Sequence, residues 1–513
     1  MRTAVILVLA YILFVHGLGS ISLWDPDEPR QVIMAQEMID RGDYVRPYLN
    51  GLPYLEKPPL YSWLIVLTAK VTGKLNEFSS RFPSAVAATL LLLLTYWLGR
   101  RLDHEVSGFL SALILATNFQ FLGNARESVM DMTFAFFIGL SIFLGYFALE
   151  KEKKWLLPIA LLPCAFAILT KGPAGLVIPV AVLFLYCLAT RRLRNMFFPM
   201  TAGVLLSLAV ASIWFILAGK AYTDEFLLRQ NITRYTTGFD HIEPFTYYFH
   251  KLFVNFLPWS IALPFATFFA YRRRLWLPLI WFLFTFIFFE ISKSKRAIYL
   301  LSCYPACALL VGIYLKERWY VLVEKRWTAA LLCIFGTIIT ILPLFLFPAI
   351  PRVPILREMF GHDIIVPAIL VGVLVLCGLA FVLSVLKKVP EKSFLALFIY
   401  LVLLGFFNHA FYMPAADRSY KSVHLVTKEL KDVPRTTPIY TFGFNSASLI
   451  HYLGRPIQML RNPADIALQK DDIILIVEDK PDITNQFERY FSSAKRISYD
   501  KDDYVIFVRR DGG

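Results

Sequence analysis

The chain has 513 residues, 57% of them hydrophobic and only 18% charged, with a mean hydropathy of +0.57; this excludes a soluble globular protein and leaves a polytopic membrane protein. The net charge of +14 does not mark a nucleic-acid surface: from Pro414 onward 15 Lys and Arg face 14 Asp and Glu, so all but one unit of the excess lies in the membrane part, where cations anchor loops. The six cysteines (Cys164, Cys187, Cys303, Cys307, Cys333 and Cys377) all lie in apolar stretches and read as small core residues rather than as a disulfide or zinc framework.

Met1-Arg2 and the apolar run through Leu23 carry no small-residue cleavage site, so this run is expected to be an uncleaved first span. Counting from 4–23, apolar runs of crossing length follow near 83–99, 106–123, 131–149, 155–170, 174–190, 197–217, 251–271, 275–291, 298–315, 327–347, 364–386 and 393–412, about thirteen in all. Alternate connections carry Arg100-Arg101, Lys151 with Lys153-Lys154, Arg191-Arg192 with Arg194, Arg272 to Arg274, Lys316 with Arg318, Lys325 and Arg326, and Lys387-Lys388 with Lys392. The positive-inside rule makes these cytoplasmic, with the N-terminus inside and the first loop and the tail outside.

The first outer loop, 24–82, opens with Trp24-Asp-Pro-Asp-Glu-Pro-Arg30. Val32, Ala35 and Ile39 then share one face beside Arg30, Gln36, Asp40 and Arg41, which predicts an interfacial amphipathic helix ending at Arg41-Gly42-Asp43. Asn50-Gly51 reads as a tight turn, and Glu56-Lys57-Pro58-Pro59 as a stiffened re-entry to the membrane. A second outer loop, 218–250, holds Arg229, Arg234, Asp240, His241 and Glu243, and a third runs over 348–363. In the tail, 438–442, 472–477 and 504–508 read as strands and 446–453 and 481–491 as helices, a small α/β domain that carries no chemical motif.

An acidic residue in such a loop is ordinarily a solvated surface charge. Asp27-Glu28 departs from that pattern: it stands between two prolines at the membrane surface, with Arg30 two positions on. A carboxylate there can take a proton from a nucleophile while a guanidinium holds an anion. Asp131 stands at the start of a span, where a carboxylate also suits the helix dipole. Lys57, Lys171, Lys293, Lys295 and Arg296 fall on the outer side, where cations are disfavoured without anionic partners, and together these groups point to a lipid phosphate.

Asp-Glu-x-Arg in the first loop, Asn-Gly-x-Pro-Tyr-x-Glu-Lys-Pro-Pro-Leu over 50–60, Thr-Lys-Gly-Pro over 170–173 and Ser-Lys-x-Lys-Arg-x-x-Tyr-Leu-Leu over 292–301 resemble the aminoarabinose transferases of lipid A, within the protein mannosyltransferase-like group of GT-C membrane glycosyltransferases. The resemblance covers residues 20–310 and departs at Pro29 and Gln31, where relatives commonly carry Ala and Tyr. It implies a helical GT-C membrane domain over 1–413, an extracytoplasmic α/β domain over 414–513, and a place in a bacterial inner membrane. It further implies an inverting transfer of a sugar, aminoarabinose in the nearest case, from a polyprenyl-phosphate donor to lipid A or another glycolipid. Asp27 becomes the leading catalytic carboxylate and Asp131 a second; Glu28 and Lys171 accompany them. Arg30, Lys57 and Tyr299, with Lys293, Lys295 or Arg296, fall on the lipid phosphate, and Glu56 with His241 becomes a pair for a divalent ion such as Zn, Mg or Mn.

A protein O-glycosyltransferase would share this donor logic. A polyprenyl-lipid flippase would also carry outer cations, but it should show charged or broken helices near the bilayer midplane; the polar residues here gather at span ends.

Overall fold

The computed structural model describes residues 1–345, 365–420, 423–444, 446–460, 462–468, 472–491, 493–497 and 503–509; the third outer loop expected over 348–363 lies outside them. Among the described residues seven helices are at least 18 residues long and apolar enough to cross a membrane: Glu77–Leu102, Met130–Glu150, Leu193–Ala218, Ala297–Glu324, Arg326–Phe345, Ala368–Leu386 and Pro390–Arg418. Shorter apolar helices include Arg2–Val15, Glu105–Ala116, Leu156–Lys171, Ala174–Ala189 and Trp276–Ile291.

Several elements differ from expectation: the run read as 4–23 is helical only over Arg2–Val15, and the run read as 106–123 breaks at Thr117-Asn118 into Glu105–Ala116 and Phe119–Asn124. The stretch read as one span over 251–271 is two helices, Tyr247–Asn255 and Leu263–Arg273, separated by a short turn at Trp259–Ile261. Pro258 and Pro264 both lack the N–H that a continuous helix would need there. Within the first loop, Leu60–Thr72 is an additional apolar helix, starting after Pro58-Pro59 and stopping at Gly73 in the left-handed region (φ 78°). Its 13 residues reach about 20 Å at 1.5 Å per residue, too short to register as a span.

The bundle core is apolar, with Leu92, Ile114, Ile138 and Leu309 fully buried. Helices Glu77–Leu102 and Glu105–Ala116 pack with almost no gap, because a Cβ on Gly108 would lie 2.2 Å from the Tyr96 carbonyl; backbones approach this closely only where one side has no side chain. At one end of the bundle the basic loops pair with acids: Arg192 with Glu150, Arg273 with Glu317 and Asp103, and Lys316 with Asp103. The opposite end carries the first loop, the start of Met130–Glu150 and the end of Pro163–Lys171.

In the first loop the amphipathic helix is Asp27–Arg41, with Val32 and Ala35 buried, closed by Gly42 at φ 68°. Strands β1 (Tyr48–Leu49) and β2 (Leu52–Pro53) pair through the Asn50-Gly51 turn, both residues at positive φ. The tail domain adds β3 (Ile439–Phe442), β4 (Gln458–Leu460), β5 (Ile473–Glu478), β6 (Ser493–Ile497) and β7 (Tyr504–Arg509), in the order β4-β3-β5-β7-β6. β3 is parallel to β4 and β5, while β7 is antiparallel to β5 and β6. Strand alternation gives the sheet two apolar faces: Ile439, Ile474, Ile476 and Ile506 lie on one, Tyr440, Leu475, Val477 and Phe507 on the other.

Candidate active site

The first turn of Asp27–Arg41 divides its carboxylates. Glu28 is buried; its Oε1 accepts from Arg81 Nε (2.7 Å) and Ser128 N (2.7 Å), its Oε2 from Arg81 Nη2 (2.8 Å) and Trp24 N (2.8 Å). Arg81, also buried, donates further to the carbonyls of Leu18, Ile21 and Ser22, so every guanidinium donor is used. Asp27 remains 39% exposed. It accepts from Arg296 Nη2 at 2.7 Å and stands 3.9 Å from Arg30. Burial opposes its ionisation, but the Arg296 hydrogen bond and the charges of Arg296, Arg30 and Lys57 outweigh it and hold the carboxyl below its ordinary value. At neutral pH Asp27 is therefore an anion.

Asp131, in the first turn of Met130–Glu150, is ion-paired with Lys171, the last residue of Pro163–Lys171. The Lys171 ammonium also lies 4.2 Å from the centroid of the Tyr299 ring, a cation over an aromatic face. The next residue must be glycine: Gly172 has φ 110°, and a Cβ there would fall 2.7 Å from Asn231 Oδ1 and 2.9 Å from Phe226, barring the 224–236 segment from closing over the lysine.

Lys57, Lys171, Arg234 and Tyr299 line a cavity of about 280 Å³ whose walls are otherwise largely apolar, among them Phe134, Phe226, Ile232, Phe288 and Phe289. Burial, then the charges of Lys171 and Arg234, pull the Lys57 ammonium down to about 8. Three cations crowd this space, and such crowding suits an anionic ligand.

The segment after Trp276–Ile291 is strapped to the second loop: Lys293 N donates to Tyr235 O (3.1 Å), Lys295 N to His241 O (2.9 Å) and Ser294 Oγ to Asp240 O (2.7 Å). Of its three cations, Arg296 reaches Asp27. Lys293 is exposed, and Lys295 is buried with its ammonium on Ser292 O (2.7 Å); neither of them, nor Arg30 or Arg296, lines the cavity, although the sequence reading grouped all four with the phosphate ligands. Arg234 takes their place. It is ion-paired with Asp240 at 2.5 Å, and its buried Nε has no hydrogen-bond partner among the described residues. Its signal in the sequence is a cation in a loop that, like that of Lys57, the positive-inside rule assigns as outer, where nothing separates it from Arg229.

Glu56 is exposed and accepts from the Tyr54 hydroxyl at 3.1 Å, while His241 is exposed in the strap. Among the described residues no group of three or more His, Cys, Asp or Glu side chains comes together to hold a metal. Glu56 and His241 offer at most two donors, fewer than a resident zinc takes from protein.

Residues 56–216 match the family model described as dolichyl-phosphate-mannose-protein mannosyltransferase. An Aquifex aeolicus protein named only as uncharacterized is 34% identical over 365 residues, 67% of this chain and 72% of the relative. The undecaprenyl phosphate-α-4-amino-4-deoxy-L-arabinose arabinosyl transferase of Pseudomonas aeruginosa is 33% identical over 335 residues, 62% of this chain. The chain spans about 60% of that transferase's length. Among solved structures, ArnT from Cupriavidus metallidurans bound to undecaprenyl phosphate superposes with a TM-score of 0.78 over 98% of this chain and 97% of the other, at 21% identity. The Archaeoglobus fulgidus oligosaccharyltransferase in the apo form does so with a TM-score of 0.52 at 11% identity, covering 100% of this chain and 74% of the other. The chain therefore shares the GT-C fold of these structures and, over part of its length, resembles the aminoarabinose transferases and the protein mannosyltransferases.

Proposed function

We propose that this chain is an inverting glycosyltransferase that moves a sugar, aminoarabinose in the nearest case, from a polyprenyl-phosphate donor to a lipid A-type acceptor at the outer face of the inner membrane. The observation that carries the proposal is the cavity holding Lys57, Lys171 and Arg234 at the bundle end where Asp27 and Asp131 stand. The acceptor oxygen attacks C1 of the sugar from the side opposite the phosphate; the new C1–O bond forms as the C1–O bond to phosphate breaks, and the phosphate leaves with the electron pair. Its developing charge is met by the three cavity cations and the Tyr299 hydroxyl, electrostatic help worth roughly 3 kcal/mol for each group removed. Asp27 takes the proton when the acceptor is a hydroxyl; when it is an already anionic lipid A phosphate, Asp27 orients the attack and holds Arg296. Asp131 keeps Lys171 charged and in place. Glu56 would supply a carboxylate oxygen and His241 an imidazole nitrogen to a divalent ion bound with the donor phosphate.

Purified protein in vesicles, given undecaprenyl-phosphate aminoarabinose and lipid A, is expected to yield lipid A heavier by one sugar in mass spectra. Transfer only to a peptide would favour the protein mannosyltransferase likeness, and no transfer to either acceptor would remove the proposal.

Donor recognition gives a second expected result. Lys57→Ala and Arg234→Ala should each weaken binding of undecaprenyl phosphate by about 10- to 100-fold, the worth of a charge-assisted contact. Because the Lys57 ammonium is charged below about 8 and neutral above it, kcat/KM for the donor should fall as pH rises through about 8. Lys57→Arg, whose guanidinium stays charged, should lose that limb. A profile unchanged in Lys57→Arg would detach the limb from Lys57.

The bundle end that carries the site is assigned to the outer side, and the end with Lys153 to the cytoplasm, by the positive-inside rule. On a background with the native cysteines replaced, Leu52→Cys and Met459→Cys, both at exposed positions, should react with an impermeant thiol reagent on intact spheroplasts. Lys153→Cys should react only after lysis. The reverse pattern would invert the topology.

A further inference from the structure

No described residue of the tail domain lines the cavity of Lys57, Lys171 and Arg234, yet the domain's contacts converge on the segment that presents Asp27. The carboxylate of Asp25, two residues earlier, accepts from Ser446 Oγ at 2.7 Å and from Ser448 N at 2.9 Å, both at the start of the domain helix Ala447–Leu453. Leu23 N donates to the Tyr452 hydroxyl at 2.8 Å, and Ser448 Oγ to Leu23 O at 3.3 Å. Asn50 Nδ2, at the β1–β2 turn, donates to Ile457 O at 2.8 Å. Apolar contact runs the same way: Ile33 of Asp27–Arg41 is buried in the core of the domain with Ala447, Leu449 and Ile450.

From the other side, Glu28 is fixed by Arg81 and Ser128, which belong to the membrane bundle. Asp27 is thus suspended between two anchors, Asp25 on the tail domain and Glu28 on the bundle. With both held, its carboxylate is aimed at Arg296; with one released, the backbone at 25–27 can rotate and the carboxylate moves relative to a cavity that no described residue of the domain lines. Displacements of about 1 Å at a reacting group can cost on the order of 10²-fold in rate.

We infer that the tail domain is a positioning element for the catalytic loop and that Asp25, through Ser446 and Ser448, is the positioning residue that transmits its hold to Asp27. This rests on the proposed transfer reaction for its catalytic consequence but not for the docking itself.

The test uses the full chain in vesicles with two independent readouts: transfer kinetics, and hydrogen exchange of the amides over 22–31. Asp25→Ala and Ser446→Ala should lower kcat by about 10- to 100-fold while binding of undecaprenyl phosphate stays within about twofold, because Lys57, Lys171 and Arg234 are held by other elements. Exchange over 22–31 should rise in both variants. Asp25→Asn, which keeps an acceptor for Ser448 N and can donate to Ser446 Oγ, should recover most of kcat. Wild-type kcat in Asp25→Ala, a parallel loss of phosphate binding, or unchanged exchange would each overturn the inference. If the wild-type chain transfers no sugar, the proposed function fails separately, and unchanged exchange in Asp25→Ala still decides the docking claim.

Discussion

Asp27→Asn is expected to lower kcat for sugar transfer by about 10²-fold, the loss typical of removing a positioned acid or base, with the protein folded and still binding undecaprenyl phosphate. The side chain is 39% exposed and Asn keeps its size, so the substitution deletes charge and little else. Two consequences of that charge vanish together: the acceptor of a proton, and the partner that holds Arg296 at 2.7 Å. The cavity cations Lys57, Lys171 and Arg234, the proposed phosphate ligands, sit on other elements, so donor affinity should change far less than turnover. Single-turnover transfer by purified Asp27→Asn at saturating donor measures this, and near-normal rates would take Asp27 out of the chemistry. Running the assay with a hydroxyl and with a phosphate acceptor separates its two proposed tasks: the hydroxyl needs a base as it attacks, so it should lose more.

Much of this site was legible because a membrane makes misplaced charge conspicuous. Lys57 and Lys171 fall on the side that the positive-inside rule assigns as outer, where cations are disfavoured, and both line the cavity. The same rule also takes in Lys293 and Lys295, because charge patterning assigns a side of the membrane but not where a side chain points; one is exposed and the other turns its ammonium onto Ser292. The amphipathic helix and its glycine stop were readable from local periodicity, as were three strands of the tail. The edge strands β4 and β6 were not: Gln458–Leu460 is three residues long and Ser493–Ile497 is mostly exposed, so neither has the apolar alternation that marks a strand. Contacts across long separations were also out of reach. Asp25 meets Ser446 421 positions away, and nothing local to either residue announces the other.

The Glu28–Arg81 pair belongs to that hidden class and should give the largest change in stability. Arg81 lies in the first turns of Glu77–Leu102 and is 1% exposed, Glu28 is 3% exposed, and the two share a forked contact. Both charges have left water, a penalty offset only because every donor and acceptor between them is engaged. Arg81→Met strands a buried carboxylate and frees the carbonyls of Leu18, Ile21 and Ser22, so it should destabilise by about 3–5 kcal/mol. Arg81→Lys should rescue little, since one ammonium cannot reproduce five forked donors. The double variant Glu28→Leu/Arg81→Met removes both charges and should be more stable than Arg81→Met alone, though below wild type because the three carbonyls stay unpartnered. Thermal unfolding in detergent compares the three variants, and a double variant no better than Arg81→Met would mean that the stranded charge is not the cause. Because Glu28 adjoins Asp27, activity should fall in Arg81→Met even at temperatures where the protein remains folded: the bundle-side anchor of the catalytic carboxylate is lost while Asp25 still holds the other side.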